Sequence, residues 1–214
     1  MFIDHLGAFL VAITLLTLTP GLDTAVVIRN TTRGGFRDGC VSSLGICSGL
    51  FVHATFSAIG ISAILMQSAE LFQVVKWVGA IYLVWLGINS LRATLSGEKG
   101  LKVDVSSKGQ VSSKRSFREG FLSNVLNPKT AVFYLAFLPQ FIDPQSSVVY
   151  QSLAMAGIHF VIAMLWQCSL AAALGYATNL LKSANFLRWM EGTTGVILVA
   201  LGMALFMEDP PTSL

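Results

Sequence analysis

Charged side chains are scarce in this 214-residue chain, where Asp, Glu, Lys and Arg make up 12% against 54% hydrophobic residues. A water-soluble domain carries about twice that charged share. The few charges are also clustered, so long stretches hold almost none, and lipid is the expected solvent for most of the chain. Cysteine is scarce too. Cys40, Cys47 and Cys168 form no Cys-x-x-Cys pair and sit inside apolar segments, which argues against a disulfide framework or a zinc site and for buried, inert thiols. No basic patch is interleaved with aromatics, so the net charge of +3 does not point to nucleic acid. The N-terminus lacks the basic stretch of a secretion signal and carries Asp4 and His5 instead, so its apolar run reads as a retained first span.

What is present is a set of six apolar runs, at roughly 5–28, 40–66, 71–95, 117–138, 148–176 and 187–207, each near the length that crosses a bilayer. None alternates polarity as a barrel strand would, so an all-α integral membrane protein is expected. Charge orients the spans. Every Lys and Arg except Lys76 and Lys129 falls in three alternate connections, after helix 1 (Arg29, Arg33, Arg37), between helices 3 and 4 (Arg92, Lys99, Lys102, Lys108, Lys114, Arg115, Arg118) and between helices 5 and 6 (Lys182, Arg188). The opposite ends hold Asp4, Glu70, Asp143, Glu208 and Asp209. Cytoplasmic loops collect the cations, so six transmembrane helices with both termini outside are predicted. Residues 96–116, rich in Ser, Gly and Lys, read as a flexible cytoplasmic linker whose cations suit anionic lipid.

The linker separates residues 1–95 from 117–214, three helices each. One half opens on Thr19-Pro20-Gly21-Leu22-Asp23-Thr24-Ala25-Val26 and the other on Asn127-Pro128-Lys129-Thr130-Ala131-Val132. A cap residue followed by Pro starts a helix; within a membrane span it means that the helix stops and restarts. Helices 1 and 4 are therefore expected to break at Pro20 and Pro128. Three helices per half put the second copy upside down, and inverted repeats with one broken helix each mark transporters that bind cargo at the breaks. Two ordinary proline kinks are the plainer alternative, against which the shared cap, Pro and Thr-Ala-Val context counts.

Asp23 and Lys129 follow the two breaks at equivalent positions. A lone charge at membrane depth costs about 2.5–3.5 kcal/mol on insertion scales, so both are expected to pair or to face water. Asp23 suits its helix start and is a candidate for an ammonium group or a transported proton. Lys129 opposes the dipole of its own helix and is a candidate for a carboxylate or for Asp23. Thr19, Asn124 and Asn127 can add neutral hydrogen bonds, and the backbone freed at Pro20-Gly21 and Pro128 suits a carboxylate. Gly45, Gly49 and His53 repeat on one face of helix 2, which allows close packing, either within the chain or in a homodimer. His53, His159 and Gln167 lie deep in their spans, with packing or proton relay as alternatives. The four tryptophans read as packing or interface anchors.

These motifs resemble the LysE/RhtB family of amino-acid exporters. The resemblance rests on Leu-Thr-Leu-Thr-Pro-Gly-Leu-Asp at 16–23, Arg-Gly-Gly-Phe-Arg-Asp-Gly at 33–39, the Gly45/Gly49/His53 face, the run from Trp77 to Gly87, Asn127-Pro128-Lys129, and Phe137-Leu138-Pro139-Gln140-Phe141. Leu22 stands where the family's motif usually has a second proline. The resemblance implies a multi-pass protein of the bacterial inner membrane that exports amino acids such as lysine, arginine, threonine, homoserine or leucine, driven by the proton motive force. No cofactor, metal or enzymatic activity is expected. A thiol redox conduit would need a cysteine near each break, and helices 1 and 4 have none. A divalent-metal exporter would need clustered carboxylates or His/Cys groups, and a non-transporting membrane protein is the remaining alternative.

Overall fold

The computed structural model describes residues 2–19, 21–65, 69–96, 112–143, 146–176 and 184–207. Pro20, most of the expected linker with Lys99, Lys102 and Lys108, and the expected outside charges Glu208 and Asp209 lie outside the described residues. Among the described residues all regular structure is helical. The helices are α1 (Phe2–Leu18), α2 (Leu22–Leu65), α3 (Ala69–Ser96), α4 (Ser113–Val125), α5 (Pro128–Val132), α6 (Val148–Tyr176) and α7 (Ala184–Met207). Three of them contain stretches long and apolar enough to cross a membrane, Leu22–Gly60, Gln73–Leu95 and Val148–Leu174, while Leu6–Leu18 and Glu191–Met207 are shorter apolar helices. Phe56, Ile59, Val78, Ile81, Val161, Leu165 and Val196 each expose more than half of their surface, an outward apolar band that belongs in lipid. Trp77, Trp85 and Trp189 join it at 49–68% exposure, as anchors rather than core.

The helix that should break at Pro20 does so: α1 ends at Leu18 and α2 begins at Leu22. The expected loop at 29–39 is different. Helix continues through it, and Gly35 alone departs, at φ 80° and ψ −175°. Only glycine adopts that conformation without strain, so α2 is two helical segments, 22–34 and 36–65, joined by a one-residue hinge. A side chain on the preceding Gly34 would collide with the Asp38 carboxylate, which folds back over it. Arg29, Thr31, Thr32 and Arg33 read as loop because their polarity reports their surroundings, whereas the local conformation is helical.

The second broken helix is more irregular. After α5 the chain widens into a π-helical turn, Phe133–Phe137, and then tightens into a 3₁₀ turn, Leu138–Phe141. Pro139 has no N–H to give and its ring crowds the carbonyl four residues back, so α geometry cannot continue through it. The turn presents Phe133, Phe137 and Phe141 to Phe9, Ile13 and Leu16 of α1, which share the main apolar core.

Three helix pairs dominate the packing. α2 lies along α4 and α6, and α3 lies along α7. A Cβ on Gly45 would strike the Phe117 carbonyl, and one on Gly120 would strike the Ser42 carbonyl. α2 and α4 thus meet backbone to backbone, and the Gly45/Gly49 face is used inside the chain. Gly87 and Gly195 play the same part between α3 and α7, each 2.7 Å from the other's carbonyl when given a Cβ. Glu119 on α4 adds an ionic tie, receiving Arg29 at 2.8 Å, Arg33 at 3.1 Å and Arg115 at 2.8 Å. Of the three cysteines, expected to be buried, Cys47 is, while Cys40 and Cys168 are only half-buried.

Gly120→Val should push α2 and α4 apart, an overpacking that costs about 1–3 kcal/mol and lowers the Tm of detergent-solubilised protein. Gly157→Ala, where a Cβ meets nothing within 4 Å, should leave Tm unchanged or slightly higher.

Candidate substrate site at the two helix breaks

Four helix ends converge where the breaks meet, and each end leaves backbone groups without intrahelical partners. Asp23 lies in the first turn of α2. Its Oδ1 accepts from Ser123 Oγ at 2.9 Å, and its Oδ2 accepts from Asn124 Nδ2 at 2.9 Å and Asn127 Nδ2 at 3.1 Å. All three donors belong to the other break. Lys129 reaches the opposite way, donating from Nζ to the Thr19 carbonyl at 2.9 Å. That carbonyl lies just past the C-terminal end of α1, where a cation is favoured, which offsets the poor position of Lys129 at the start of α5. No ion pair joins Asp23 to Lys129; each charge braces the break it does not belong to.

Asn127 links the two braces. As the N-cap of α5 it accepts from the Lys129 backbone N–H at 3.1 Å through Oδ1, while its Nδ2 serves Asp23. His53 stands behind the site. Its Nε2 lies 2.9 Å from the Asn124 carbonyl, which the Asn127 N–H also reaches at 2.9 Å. A carbonyl only accepts, so Nε2 carries the proton and His53 closes the C-terminal end of α4. The His53 ring stacks on Tyr134, and Tyr134 on His159, each at 5.9 Å between centroids. The Tyr134 hydroxyl and His159 Nδ1 are 3.1 Å apart. The π-helical turn leaves the Tyr134 carbonyl free to accept from Ser57 Oγ at 2.5 Å.

These ends line a cavity of about 40 Å³. Asp23, Thr24, Lys129, Thr130, His159 and Gln167 supply polar walls, and Leu16, Ile46, Leu50 and Ala163 supply apolar ones. Space of that size takes water molecules but not an amino acid.

The sequence profile of the LysE type translocators matches residues 14–209, nearly the whole chain and both breaks. The chain belongs to the LysE type translocator family. Its relatives include an uncharacterized membrane protein of Vibrio cholerae, 34% identical over 92% of this chain and 94% of that one. Another is the membrane protein YrhP of Bacillus subtilis, 32% identical over 92% and 95%. A third, 32% identical over 86% of this chain and 83% of its own length, is the homoserine/homoserine lactone efflux protein of Salmonella typhi. No solved structure matches. The chain is a multi-pass membrane transporter.

In this LysE type translocator, Thr19, Gly21, Asp23, Asn124, Asn127 and Lys129 line one cavity as a group. Pro128 is exposed beside it and starts α5, Pro20 is outside the described residues, and His53 touches the site only through the end of α4. Sequence reasoning missed Ser123, although it neighbours Asn124. It also missed Thr24 and Thr130, whose signal was present in the Thr-Ala-Val shared by both breaks. Ala163 had no signal beyond its place one turn from His159 and Gln167.

Asp23→Ala would strand three donors in a half-buried site and should destabilise the protein by about 1–3 kcal/mol, seen as a lower Tm in detergent. Asp23→Asn should lose much less, because the Ser123 hydroxyl can accept where it now donates.

Proposed function

We propose that this translocator exports small neutral amino acids or close derivatives across the bacterial inner membrane in exchange for protons. The observation that carries the reading is the reciprocal bracing of the two breaks, Asp23 to the second and Lys129 to the first, around one cavity. A zwitterion offers the partners these two groups lack. Lys129 uses one of its three ammonium hydrogens on Thr19 and keeps two for a cargo carboxylate. Asp23 is held by neutral donors, which an arriving ammonium group can replace with a charge-assisted bond. The cavity wall holds a single carboxylate, which the α-ammonium occupies, so a second cationic group on lysine or arginine finds no partner. The name of the Salmonella relative supports the same cargo class.

The braces suggest how cargo and proton alternate. Cargo that takes over both charges releases the bonds tying one break to the other and frees the halves to move. A proton taken up by Asp23 on the outside removes the anion that holds the ammonium, discharges the cargo, and is returned to the cytoplasm. This cycle rests on the proposed architecture, two inverted halves, 1–95 and 117–214, in six spans with both termini outside. The pairing of α2 with α6 and α3 with α7 supports it, since these are corresponding helices of the two halves. A divalent-metal exporter would need several hard ligands at the site, and the cavity offers one carboxylate.

Proteoliposomes loaded with labelled amino acids should release homoserine or threonine, faster when a proton gradient is directed into the loaded lumen (acidic outside), and should release lysine poorly. Absence of efflux across a full amino-acid panel overturns the reading. Asp23→Asn should abolish the response to the gradient; an undiminished response would assign coupling to another group.

A further inference from the structure

Gln167 is 7% exposed, lines the cavity, and has an amide oxygen that is sealed from solvent without a hydrogen-bond partner. Buried polar atoms are nearly always paired, and an unpaired one destabilises the fold that keeps it. The Asn124 amide oxygen is also unpaired, but it is turned into the protein, since a Cβ on Gly49 would lie 2.6 Å from it while the amide nitrogen is held by Asp23. Gln167 has no such anchor. It belongs to a stripe on α6, His159, Ala163 and Gln167, spaced four residues apart so that all three fall on one helix face, and all three line the cavity. His159 is engaged by the Tyr134 hydroxyl through Nδ1. Ala163, 3% exposed, brings only a methyl group between the two polar residues.

We infer that Gln167 is a cargo-binding residue, whose side-chain amide hydrogen-bonds the amino-acid end of the cargo beside Asp23 and Lys129, in the space that Ala163 leaves open. The inference rests on the exporter reading above and adds a third polar contact to it, from a helix outside either break. A neutral amide is the group the site can accept. A second carboxylate would repel Asp23 and admit dications, and a second ammonium would repel Lys129. The amide offers an acceptor to the cargo ammonium and donors to its carboxylate without changing the balance of one anion to one cation. The instability of an unpaired amide in the cargo-free protein is then offset only when cargo is bound, a pattern expected at functional sites.

The experiment compares wild type, Gln167→Leu and Gln167→Met in proteoliposomes with labelled homoserine, threonine and leucine, alongside the Tm of the unloaded proteins. Losing a hydrogen bond that the site was built to make should raise KM about tenfold or more. Tm should stay level or rise, because an unpaired polar atom has been replaced by an apolar one. Gln167→Glu should shift preference toward lysine. Unchanged KM in both apolar variants, or a fall in Tm in both that accounts for the lost transport, overturns the inference. Wild type that exports none of the panel overturns the exporter reading itself, whereas export by wild type with unaltered KM in the variants overturns only the role of Gln167.

Discussion

Asp23 and Lys129 each cross from one interrupted helix to the other, and the middle of the molecule depends on that exchange. An interrupted helix in a membrane protein exposes backbone donors and acceptors where no water is at hand, and a charged side chain at that depth is costly by itself. The protein sets these two problems against each other. The anion at the start of α2 collects three donors from around the second break, and the cation at the start of α5 satisfies the carbonyl that ends the first. Neither charge neutralises the other directly. Both therefore remain able to meet a ligand of opposite charge, which a direct ion pair would not allow so readily.

Much of the surrounding packing positions these braces. Gly45 and Gly120 let α2 and α4 touch along their backbones, which carries Ser123 and Asn124 to Asp23. His53 closes the end of α4 that carries Asn124, and the stacked rings of His53, Tyr134 and His159 connect that end to α6. Pro139 forces the π-helical and 3₁₀ turns that follow α5 and seat Tyr134 between the two histidines. π-helical turns occur frequently at functional sites, and here the freed carbonyl is taken by Ser57. The tie on Glu119 lies at another level of α4; its Arg29 and Arg115 arms are exposed to solvent and add little, while Arg33 is its buried arm.

Several features were legible in the residue string because they follow from local chemistry. Scarce charge and long apolar runs require a lipid environment and helical backbone. A cap residue before Pro is a local instruction: α5 begins at Pro128 with Asn127 as its cap, whereas α2 begins at Leu22, past Pro20, and the Thr19 hydroxyl donates back to the Leu15 carbonyl of α1. The gathering of Thr19, Asp23, Asn124, Asn127 and Lys129 was also anticipated, since buried charges at equivalent positions need partners. The helical path through Arg29 and Arg33 was not, because a polar segment can be loop or protruding helix, and only the hinge conformation of Gly35 separates the two. Ala163 likewise carried no sequence signal for this site, and Gln167 only that of a polar residue deep in an apolar helix, which does not say which neighbour it faces.

The sequence by itself determined the membrane class, the two breaks and the identity of the charges beside them, because hydropathy, caps and proline act over a few residues. Tertiary structure alone decided which charge meets which partner. Asp23 and its donors are about a hundred residues apart in the chain, and their contact depends on glycine-permitted helix approach, an effect that no local pattern encodes. It also decided that Lys129 turns to Thr19 rather than to Asp23, since the open carbonyl at the end of α1 is a product of the fold.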